Sequence, residues 1–112
     1  AILSEKQKNE ELISLIWKNN KNEVIKIPKK GGTIGRDGDY GSSLFNRYCM
    51  NTISRQHIKI EFKGGDWVIS HLSKVNDTEI NGKKLEHDSF LILKNNDEIT
   101  LAKKISFRVE IK

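Results

Sequence analysis

The chain has 112 residues, and its 20 basic and 15 acidic side chains give a formal net charge of +5 at pH 7. This length suits one domain, which can bury enough apolar surface to fold without a metal or a disulfide. The single cysteine, Cys49, excludes an internal disulfide framework, and no apolar run is long enough to cross a membrane.

Residues 1–10 are mostly polar, and we expect them to be a tail or linker stub ahead of one domain at residues 11–112. The chain begins with alanine and carries no secretion signal. We therefore expect a cytoplasmic, monomeric domain of a larger protein.

The N-terminal half predicts two strands and a long loop. Residues 12–17 (LISLIW) have a spacing that would also suit a helix, but their isoleucine and tryptophan content favours a first strand. Ile25 and Ile27 flank Lys26, an alternation that places apolar groups on one face of a second strand. Residues 37–51 show no clear periodicity and predict a long surface loop.

The C-terminal half predicts several more strands. Apolar and charged residues alternate over residues 58–63 (IKIEFK) and 105–111 (ISFRVEI), which indicates half-buried strands. The short apolar runs at 67–69 and 90–93 predict more fully buried strands. Asn81-Gly82 between two strand-like segments predicts a two-residue hairpin. Many short strands separated by turns indicate an all-β, two-sheet antiparallel sandwich.

The positive charge is concentrated in the approach to Arg36. Residues 17–36 contain six basic side chains and one acidic side chain, whereas residues 61–112 contain nine of each. A positive field attracts anions and speeds their encounter with the protein. A solvated, lysine-rich strand and turn would explain the same lysines equally well.

Three polar segments follow one another about twenty residues apart: GR at 35–36, SRQH at 54–57 and NDTEING at 76–82. An arginine, a serine beside a second arginine, and an asparagine could enclose one phosphate and the backbone next to it. A guanidinium can donate two parallel hydrogen bonds to phosphate oxygens, whereas lysine offers only its charge. Taken singly, each residue is equally typical of an exposed turn.

Together with one further segment, these sequences resemble the forkhead-associated (FHA) domain over roughly residues 12–112. The matching segments are TIGR at 33–36, ISRQH at 53–57, NDTEING at 76–82 and NDEI at 96–99. The resemblance implies a β-sandwich whose loops at one end bind phosphothreonine, with no enzymatic activity, cofactor or metal. Its partner would be a phosphothreonine-containing protein or peptide in a Ser/Thr kinase pathway.

The resemblance also implies a role for individual residues. Arg36, Ser54 and Arg55 would bind the phosphate, and Asn76 would bind the peptide backbone just after the phosphothreonine. Structural support for the loops and their hairpin would come from Gly35, His57, Thr78, Asn81 and Gly82.

Three positions depart from the family pattern, and at one of them Glu79 replaces a usual apolar residue. Val75 stands where the family often has a threonine or serine that touches the phosphate, although its side chain could form part of a pocket for the phosphothreonine methyl group. Asp77 replaces the usual glycine; aspartate tolerates left-handed backbone but adds a negative charge near the expected anion. The changes at Val75 and Asp77 motivate an alternative, an FHA-fold module that binds an unphosphorylated partner.

Three other classes of function have weaker sequence support. An enzyme built on Ser54 and His57 is disfavoured because residues three apart on a strand point to opposite faces. A zinc site would need the single cysteine and the three histidines to converge, and none has the close paired spacing of structural zinc ligands. The pI near 9.4 permits nucleic-acid binding, but the aromatic residues occupy core-like positions rather than a basic stacking surface.

Overall fold

The computed structural model of the protein describes residues 12–112. The predicted tail at residues 1–10 and the expected first residue of the domain, Glu11, lie outside the described residues. In the described part, ten strands form two antiparallel sheets, and one short helix lies in a connection between two of the strands. This architecture confirms the predicted all-β, two-sheet sandwich.

The strands follow one another with short connections, and one helix interrupts them. They are β1 (Leu12–Trp17), β2 (Val24–Pro28), β3 (Gly32–Ile34), β4 (Ile58–Lys63), β5 (Asp66–His71), β6 (Thr78–Ile80), β7 (Lys83–Lys84), β8 (Phe90–Ile92), β9 (Glu98–Leu101) and β10 (Ile105–Ile111), with helix α1 (Ser42–Arg47) between β3 and β4. The larger sheet has the order β2-β1-β10-β9-β6-β7, and the smaller sheet has the order β3-β4-β5-β8.

Alternation along the strands builds the core between the sheets. In β10, Ile105, Phe107 and Val109 are buried, whereas the side chains between them are partly exposed. In β4, Ile58 and Ile60 are fully buried in the same way. Removing such side chains from water contributes about 1.5–3 kcal/mol each to the stability of the fold. The predicted strand at residues 12–17 is confirmed as β1.

The predicted hairpin at Asn81-Gly82 is confirmed. These residues join β6 to β7, with Ile80 paired to Lys83. Their φ angles are 53° and 83°, the left-handed backbone that a tight two-residue hairpin needs at both central positions. Asparagine and glycine adopt that backbone most readily, which explains why this dipeptide signals the turn.

The prediction that residues 90–93 form a well-buried strand is wrong for most of the run. The side chains of Phe90, Leu91 and Ile92 are 71%, 40% and 47% exposed, and only Leu93, just beyond β8, is buried. The physical reason is position in the sheet. β8 is the last strand of the smaller sheet and pairs only with β5 among the described strands.

The prediction of a long surface loop at residues 37–51 is also wrong in part, because α1 lies within it. Leu44 and Phe45 on this helix are buried, and the Phe45 ring packs edge-on against Phe107 with 6.3 Å between centroids. Six helical residues make less than two turns, too few for a helical period to show in the sequence. No helix in the described part of the chain has the length and apolar character needed for a membrane crossing.

His57, the last residue before β4, has a fully buried polar side chain. Its Nδ1 accepts a hydrogen bond from the Ser54 amide at 3.1 Å, so the proton lies on Nε2, which donates to the Asp77 carbonyl at 3.0 Å. Burial lowers the pKa of His57, and burial followed by the nearby His87 lowers the pKa of His71. Both rings are therefore neutral at pH 7.

We expect the free energy of unfolding to fall as the pH drops below 6.5, the ordinary histidine pKa. Because the folded-state pKa of His57 and of His71 is lowered, the unfolded chain binds protons in this range that the folded chain does not. This part of the stability is complete above the ordinary pKa and is lost as the pH falls. Urea unfolding at a series of pH values, with NMR titration of both rings, measures the effect.

The control is His57→Gln, because a side-chain amide can replace the donor and the acceptor of the ring but does not titrate. This variant should show a shallower dependence of stability on pH than the unmodified chain. A free energy of unfolding that stays constant between about pH 7.5 and pH 5 would contradict the expectation.

Candidate functional site

Three connections meet at one end of the smaller sheet. We call residues 35–41, 48–57 and 72–77 the first, second and third loops. Ile34 at the end of β3 pairs with Ile58 at the start of β4, which also pairs with the last residue of β5. Because neighbouring strands are antiparallel, all three loops leave the sheet at this end.

The predicted ligand residues lie on these three loops. Arg36 is on the first loop, Ser54 and Arg55 are on the second, and Val75 and Asn76 are on the third. The pairing of the strands therefore brings together residues that are distant in the sequence, and hydrogen bonds between the loops fix their relative positions.

Gly35 allows the first and second loops to touch through their backbones. The Arg36 amide donates to the Ser54 carbonyl at 3.0 Å, and the Asp37 amide donates to the Arg55 carbonyl at 2.9 Å. A Cβ atom at residue 35 would lie 2.3 Å from the Arg55 carbonyl oxygen and 2.5 Å from that of Ser54. Glycine is required here for close approach, which holds Arg36 directly beside Ser54.

The Arg36 side chain is half-buried and oriented by the second loop. Its Nε donates to the carbonyl of Ile53, while the Arg36 carbonyl accepts a 3.0 Å hydrogen bond from Asn46 Nδ2 on α1. The two terminal nitrogens of the guanidinium have no hydrogen-bond partner among residues 12–112. The fork that suits a phosphate is thus held in place with its donors available.

Ser73 is a site residue that the sequence analysis missed. Its buried hydroxyl oxygen lies 2.6 Å from Ser54 Oγ and accepts hydrogen bonds from the amides of Val75 at 3.3 Å and Asn76 at 3.1 Å. With both lone pairs of Ser73 engaged, its proton must point to Ser54. The Ser54 hydroxyl proton is then free to point outward, towards an anion.

A local signal for Ser73 was present in the sequence. A serine two and three residues ahead of the amides that it binds is the spacing of an ordinary serine turn. That pattern is common in loops, so it indicates a turn without indicating that the hydroxyl also reaches the second loop.

Asn76 joins the third loop to the second. Its Nδ2 donates to the Thr52 carbonyl at 2.7 Å, and the side chain is half-buried. The carbonyl oxygen of the amide remains able to accept a hydrogen bond, and the second N–H remains able to donate one. These are the groups that the backbone of a bound peptide requires.

The geometry of Ser54 and His57 differs from the expectation that they lie on one strand. β4 begins at Ile58, so Ser54 lies in a turn ahead of the strand. The hydrogen bond between the two residues comes from the Ser54 amide, and the Ser54 hydroxyl bonds to Ser73 instead. Ser54 and His57 therefore share no hydroxyl-to-imidazole bond of the kind that activates a serine nucleophile.

Thr78 and Asn81 fasten the hairpin that follows the third loop. Thr78 is fully buried, with Oγ1 2.8 Å from Nδ1 of His71. Asn81 donates to an Asp97 carboxylate oxygen at 3.0 Å and accepts from the Glu98 amide at 2.8 Å. Both side chains are thus used within the fold.

Arg55 and Val75 project from the loops into solvent. The guanidinium of Arg55 has no polar partner in the described part of the chain, and Val75 is 83% exposed. A cavity of about 410 Å³ opens beside Val75, and its walls also include Asn76, Lys84 and His87. This cavity lies next to the Asn76 side chain.

Asp77 does not take the left-handed backbone that aspartate tolerates, since its φ is not positive. Its carbonyl accepts from His57 Nε2 and from the Ala102 amide. Its carboxylate lies 3.7 Å from Lys84 Nζ, which offsets part of the negative charge that this residue brings to the third loop.

The alternative of a zinc site requires a cluster of metal ligands. Within residues 12–112, no three or more histidine, cysteine, aspartate or glutamate side chains are grouped to hold a metal ion. The ring centroids of His57 and His71, and of His71 and His87, are each 5.9 Å apart in edge-on contacts.

Some of the lysines ahead of Arg36 are engaged within the fold. Lys18 pairs with Glu98, and Lys29 lies over the Phe62 ring with 5.2 Å from Nζ to the centroid. The lysine-rich region is therefore partly a structural feature and does not form one free basic surface.

Comparison with known proteins identifies the family to which this fold belongs. The sequence profile of the FHA domain family matches residues 32–102. The chain is similar to the N-terminal FHA domain of Rad53p from S. cerevisiae in complex with a phosphothreonine peptide (TM-score 0.71, 23% identity, 90% of this chain and 94% of that chain covered). A comparison with curated protein sequences finds no match.

Two other solved structures share the fold. One is EmbR from Mycobacterium tuberculosis in complex with a low-affinity phosphopeptide (TM-score 0.68, 18% identity, 90% of this chain and 24% of that chain covered). The other is the FHA domain of a hypothetical protein from Arabidopsis thaliana (TM-score 0.63, 23% identity, 90% and 84% covered). Because the family profile spans more than half of the sequence and solved FHA domains share this sandwich, the chain belongs to the FHA domain family.

Proposed function

We propose that this chain binds a phosphothreonine-containing segment of another protein at the end of the sandwich where the three loops meet. Arg36, Ser54 and Arg55 contact the phosphate, and Asn76 holds the adjoining peptide backbone. One observation carries the proposal: the donors of Arg36, Ser54 and Asn76 are held together by hydrogen bonds between all three loops.

Preorganisation is the main physical support for the phosphate contacts. The guanidinium of Arg36 is already fixed by the Ile53 carbonyl, and the Ser54 hydroxyl is already oriented by Ser73. Little side-chain freedom is then lost on binding, which leaves more of the interaction energy as affinity. Arg55 is exposed and can add a second positive charge once the phosphate has docked.

Asn76 and the neighbouring cavity suit an extended peptide. The free acceptor and donor of the Asn76 amide match one backbone N–H and one backbone C=O. Residues that follow the phosphothreonine would then enter the 410 Å³ cavity bordered by Lys84 and His87. This placement makes the third loop, as well as the long segment at residues 37–51, a determinant of peptide preference.

Val75 supports a preference for phosphothreonine over phosphoserine. Its exposed side chain lies two residues from Ser73 on the third loop, where it can cover the γ-methyl group of a bound phosphothreonine. Burying one methyl group contributes about 0.8 kcal/mol. With valine at position 75, a hydrogen-bond donor to the phosphate is replaced by an apolar contact with the phosphothreonine methyl group.

The biological setting follows from the chemistry of the ligand. A phosphothreonine appears only after a Ser/Thr kinase has acted, so binding would switch assembly on in response to phosphorylation in the cytoplasm. The Rad53p and EmbR structures, which hold a phosphothreonine peptide and a phosphopeptide, support this phosphorylation-dependent mode.

The second candidate function is binding of an unphosphorylated partner through the same fold. The observation that favours it is the Asp77 carboxylate on the third loop, which would repel a phosphate. Its pairing with Lys84 at 3.7 Å weakens that repulsion, so the phosphothreonine proposal remains the stronger one.

We expect Arg36→Ala to abolish discrimination between a phosphothreonine peptide and its unphosphorylated twin. Each charge-assisted hydrogen bond is worth about 1.5–3 kcal/mol, so losing two should weaken phosphopeptide binding by roughly a hundredfold or more. Isothermal titration calorimetry with both peptides, and with a DNA oligonucleotide to test the nucleic-acid alternative, measures the difference.

Arg47→Ala is the matched control for loss of an arginine. The Arg47 guanidinium bonds to Glu23 and Ser43 and makes no hydrogen bond to the predicted ligand residues, so this variant should bind like the unmodified chain. Discrimination that survives in Arg36→Ala would overturn the site assignment. Equal binding of both peptides by the unmodified chain would favour the unphosphorylated partner.

We expect Asn76→Ala to weaken binding of the phosphothreonine peptide by roughly tenfold while free phosphothreonine binds almost as before. The reason is that Asn76 contacts the peptide backbone, whereas Arg36 and Ser54 contact the phosphate. The same calorimetry with the two ligands measures this split. An equal loss for both ligands would indicate that the substitution only loosens the loops, because Asn76 also bonds to Thr52.

We expect a phosphothreonine peptide to bind about fourfold tighter than the matched phosphoserine peptide, which corresponds to one buried methyl group. Val75→Ser should reduce this ratio because it removes the apolar contact, and its exposed position makes it harmless to the fold. Comparable affinities of the unmodified chain for the two peptides would count against the methyl pocket.

A further inference from the structure

β8 presents an apolar edge to solvent. Phe90, Leu91 and Ile92 are all exposed, although their sequence is typical of a buried strand. Contiguous exposed apolar residues on a folded domain commonly mark a surface that contacts another molecule. This run lies on β8 rather than on the three loops that form the phosphate site.

The backbone of β8 has unused hydrogen-bonding groups on the same edge. Leu93 donates to the Trp67 carbonyl at 2.8 Å, and Leu91 pairs with Ile69 two residues further along. In an antiparallel ladder, hydrogen-bonded pairs alternate with unbonded pairs, so Leu91 and Leu93 point their N–H and C=O groups towards β5.

The N–H and C=O groups of Phe90 and Ile92 therefore point away from β5. In the described part of the chain, no strand pairs with β8 on that side. Two residues with free donors and acceptors, separated by one residue, are the template onto which an extended chain adds as a strand. We call these outward groups of Phe90 and Ile92 the β8 edge.

Cavities lined by side chains lie on both faces of the sheet at β8. On one face, Leu91 lines a cavity of about 380 Å³ together with Ile80 and Leu85. On the other face, Phe90 and Ile92 line a cavity of about 250 Å³. Successive side chains of an added strand would point alternately into the two cavities, as strand geometry requires.

The charge of the side chains around the Leu91 cavity indicates which kind of partner can bind there. Lys83 and Lys84 border it, and none of its described lining residues is acidic. Pairing of two copies through β8 would bring two such lysine pairs together on chains that each carry a net charge of +5. An acidic segment of a different protein complements this cavity, whereas a second copy does not.

We propose that the β8 edge is a second docking surface, at which an extended, acidic segment of a partner protein adds as a fifth strand to the sheet β3-β4-β5-β8. The partner strand bonds to the backbone of Phe90 and Ile92. It places acidic side chains beside Lys83 and Lys84 on one face of the sheet and apolar side chains beside Phe90 and Ile92 on the other face. This contact requires no phosphate and does not use Arg36.

The test uses two pools of short, unphosphorylated peptides that share alternating valine, isoleucine or phenylalanine residues. The intervening residues are glutamate in the first pool and lysine in the second. We expect only the glutamate pool to bind, with new protection of the Phe90 and Ile92 amides from hydrogen exchange in NMR. Arg36→Ala should bind the glutamate pool unchanged, which separates this surface from the phosphate site.

Two variants sharpen the result. Ile92→Pro removes one outward N–H while the bonds from Leu91 and Leu93 to β5 remain, so it should bind the glutamate pool roughly tenfold more weakly. Ile92→Thr keeps that N–H and should retain most of the binding. The double variant Lys83→Glu and Lys84→Glu, at two exposed positions, should transfer the preference to the lysine pool.

Four outcomes would overturn the proposal. Three concern the peptides: equal binding of the two pools, absence of new amide protection at Phe90 and Ile92, and full binding by Ile92→Pro. The fourth is a dimer of the peptide-free chain that sedimentation detects and that Ile92→Pro abolishes.

Discussion

The imidazole of His57 is the interaction on which the rest of the site depends. One ring nitrogen accepts from the Ser54 amide, the other donates to the Asp77 carbonyl, and the main-chain carbonyl of His57 accepts from the amides of Leu72 and Ser73. A single buried residue therefore holds the second and third loops together. Because burial lowers the pKa of the ring, this arrangement is kept by a neutral imidazole whose tautomer is fixed by its partners.

The sandwich and the contacts of the loops have different roles in building the site. The smaller sheet brings three loops to one end, and Gly35 lets two of them touch through their backbones. Helix α1 anchors the first of these connections by burying Phe45 and by bonding Asn46 to the Arg36 carbonyl. The side chains that we propose to face a ligand are thus held by groups outside the proposed contacts, which is how a rigid scaffold positions a site on loops.

Much of the fold could be predicted from the sequence because its signals are local. The alternation of apolar and charged residues predicted β4 and β10, and Asn81-Gly82 predicted the hairpin. Both the two-residue period of a strand and the chemistry of a tight turn depend only on neighbouring residues. The exposure of β8 could not be predicted in this way. An apolar run has the same local sequence whether its strand lies in the middle of a sheet or at its edge, and only the strand order distinguishes the two.

The candidate site was predictable in its residue types but not in its connections. Arg36, Ser54 and Asn76 stood out because their chemistry suits a phosphate and a backbone. Ser73 did not, because its importance comes from a contact with a residue 19 positions away. Helix α1 was missed because six residues are too few to show a helical period, and its side-chain bond to the Arg36 carbonyl joins residues ten positions apart.

The direction of the hydroxyl pair has a consequence for the protonation state of the ligand. Two amides donate to Ser73 and Ser73 donates to Ser54, which leaves Ser54 with one proton to donate onward and one free lone pair, whereas the guanidinium of Arg36 can only donate. A phosphate monoester that keeps one proton carries less negative charge and accepts more weakly from these donors, whereas the dianion offers them three charged acceptor oxygens. Since the second ionisation of such an ester lies near pH 6, we expect affinity to decline in mild acid even where every residue of the protein keeps its charge.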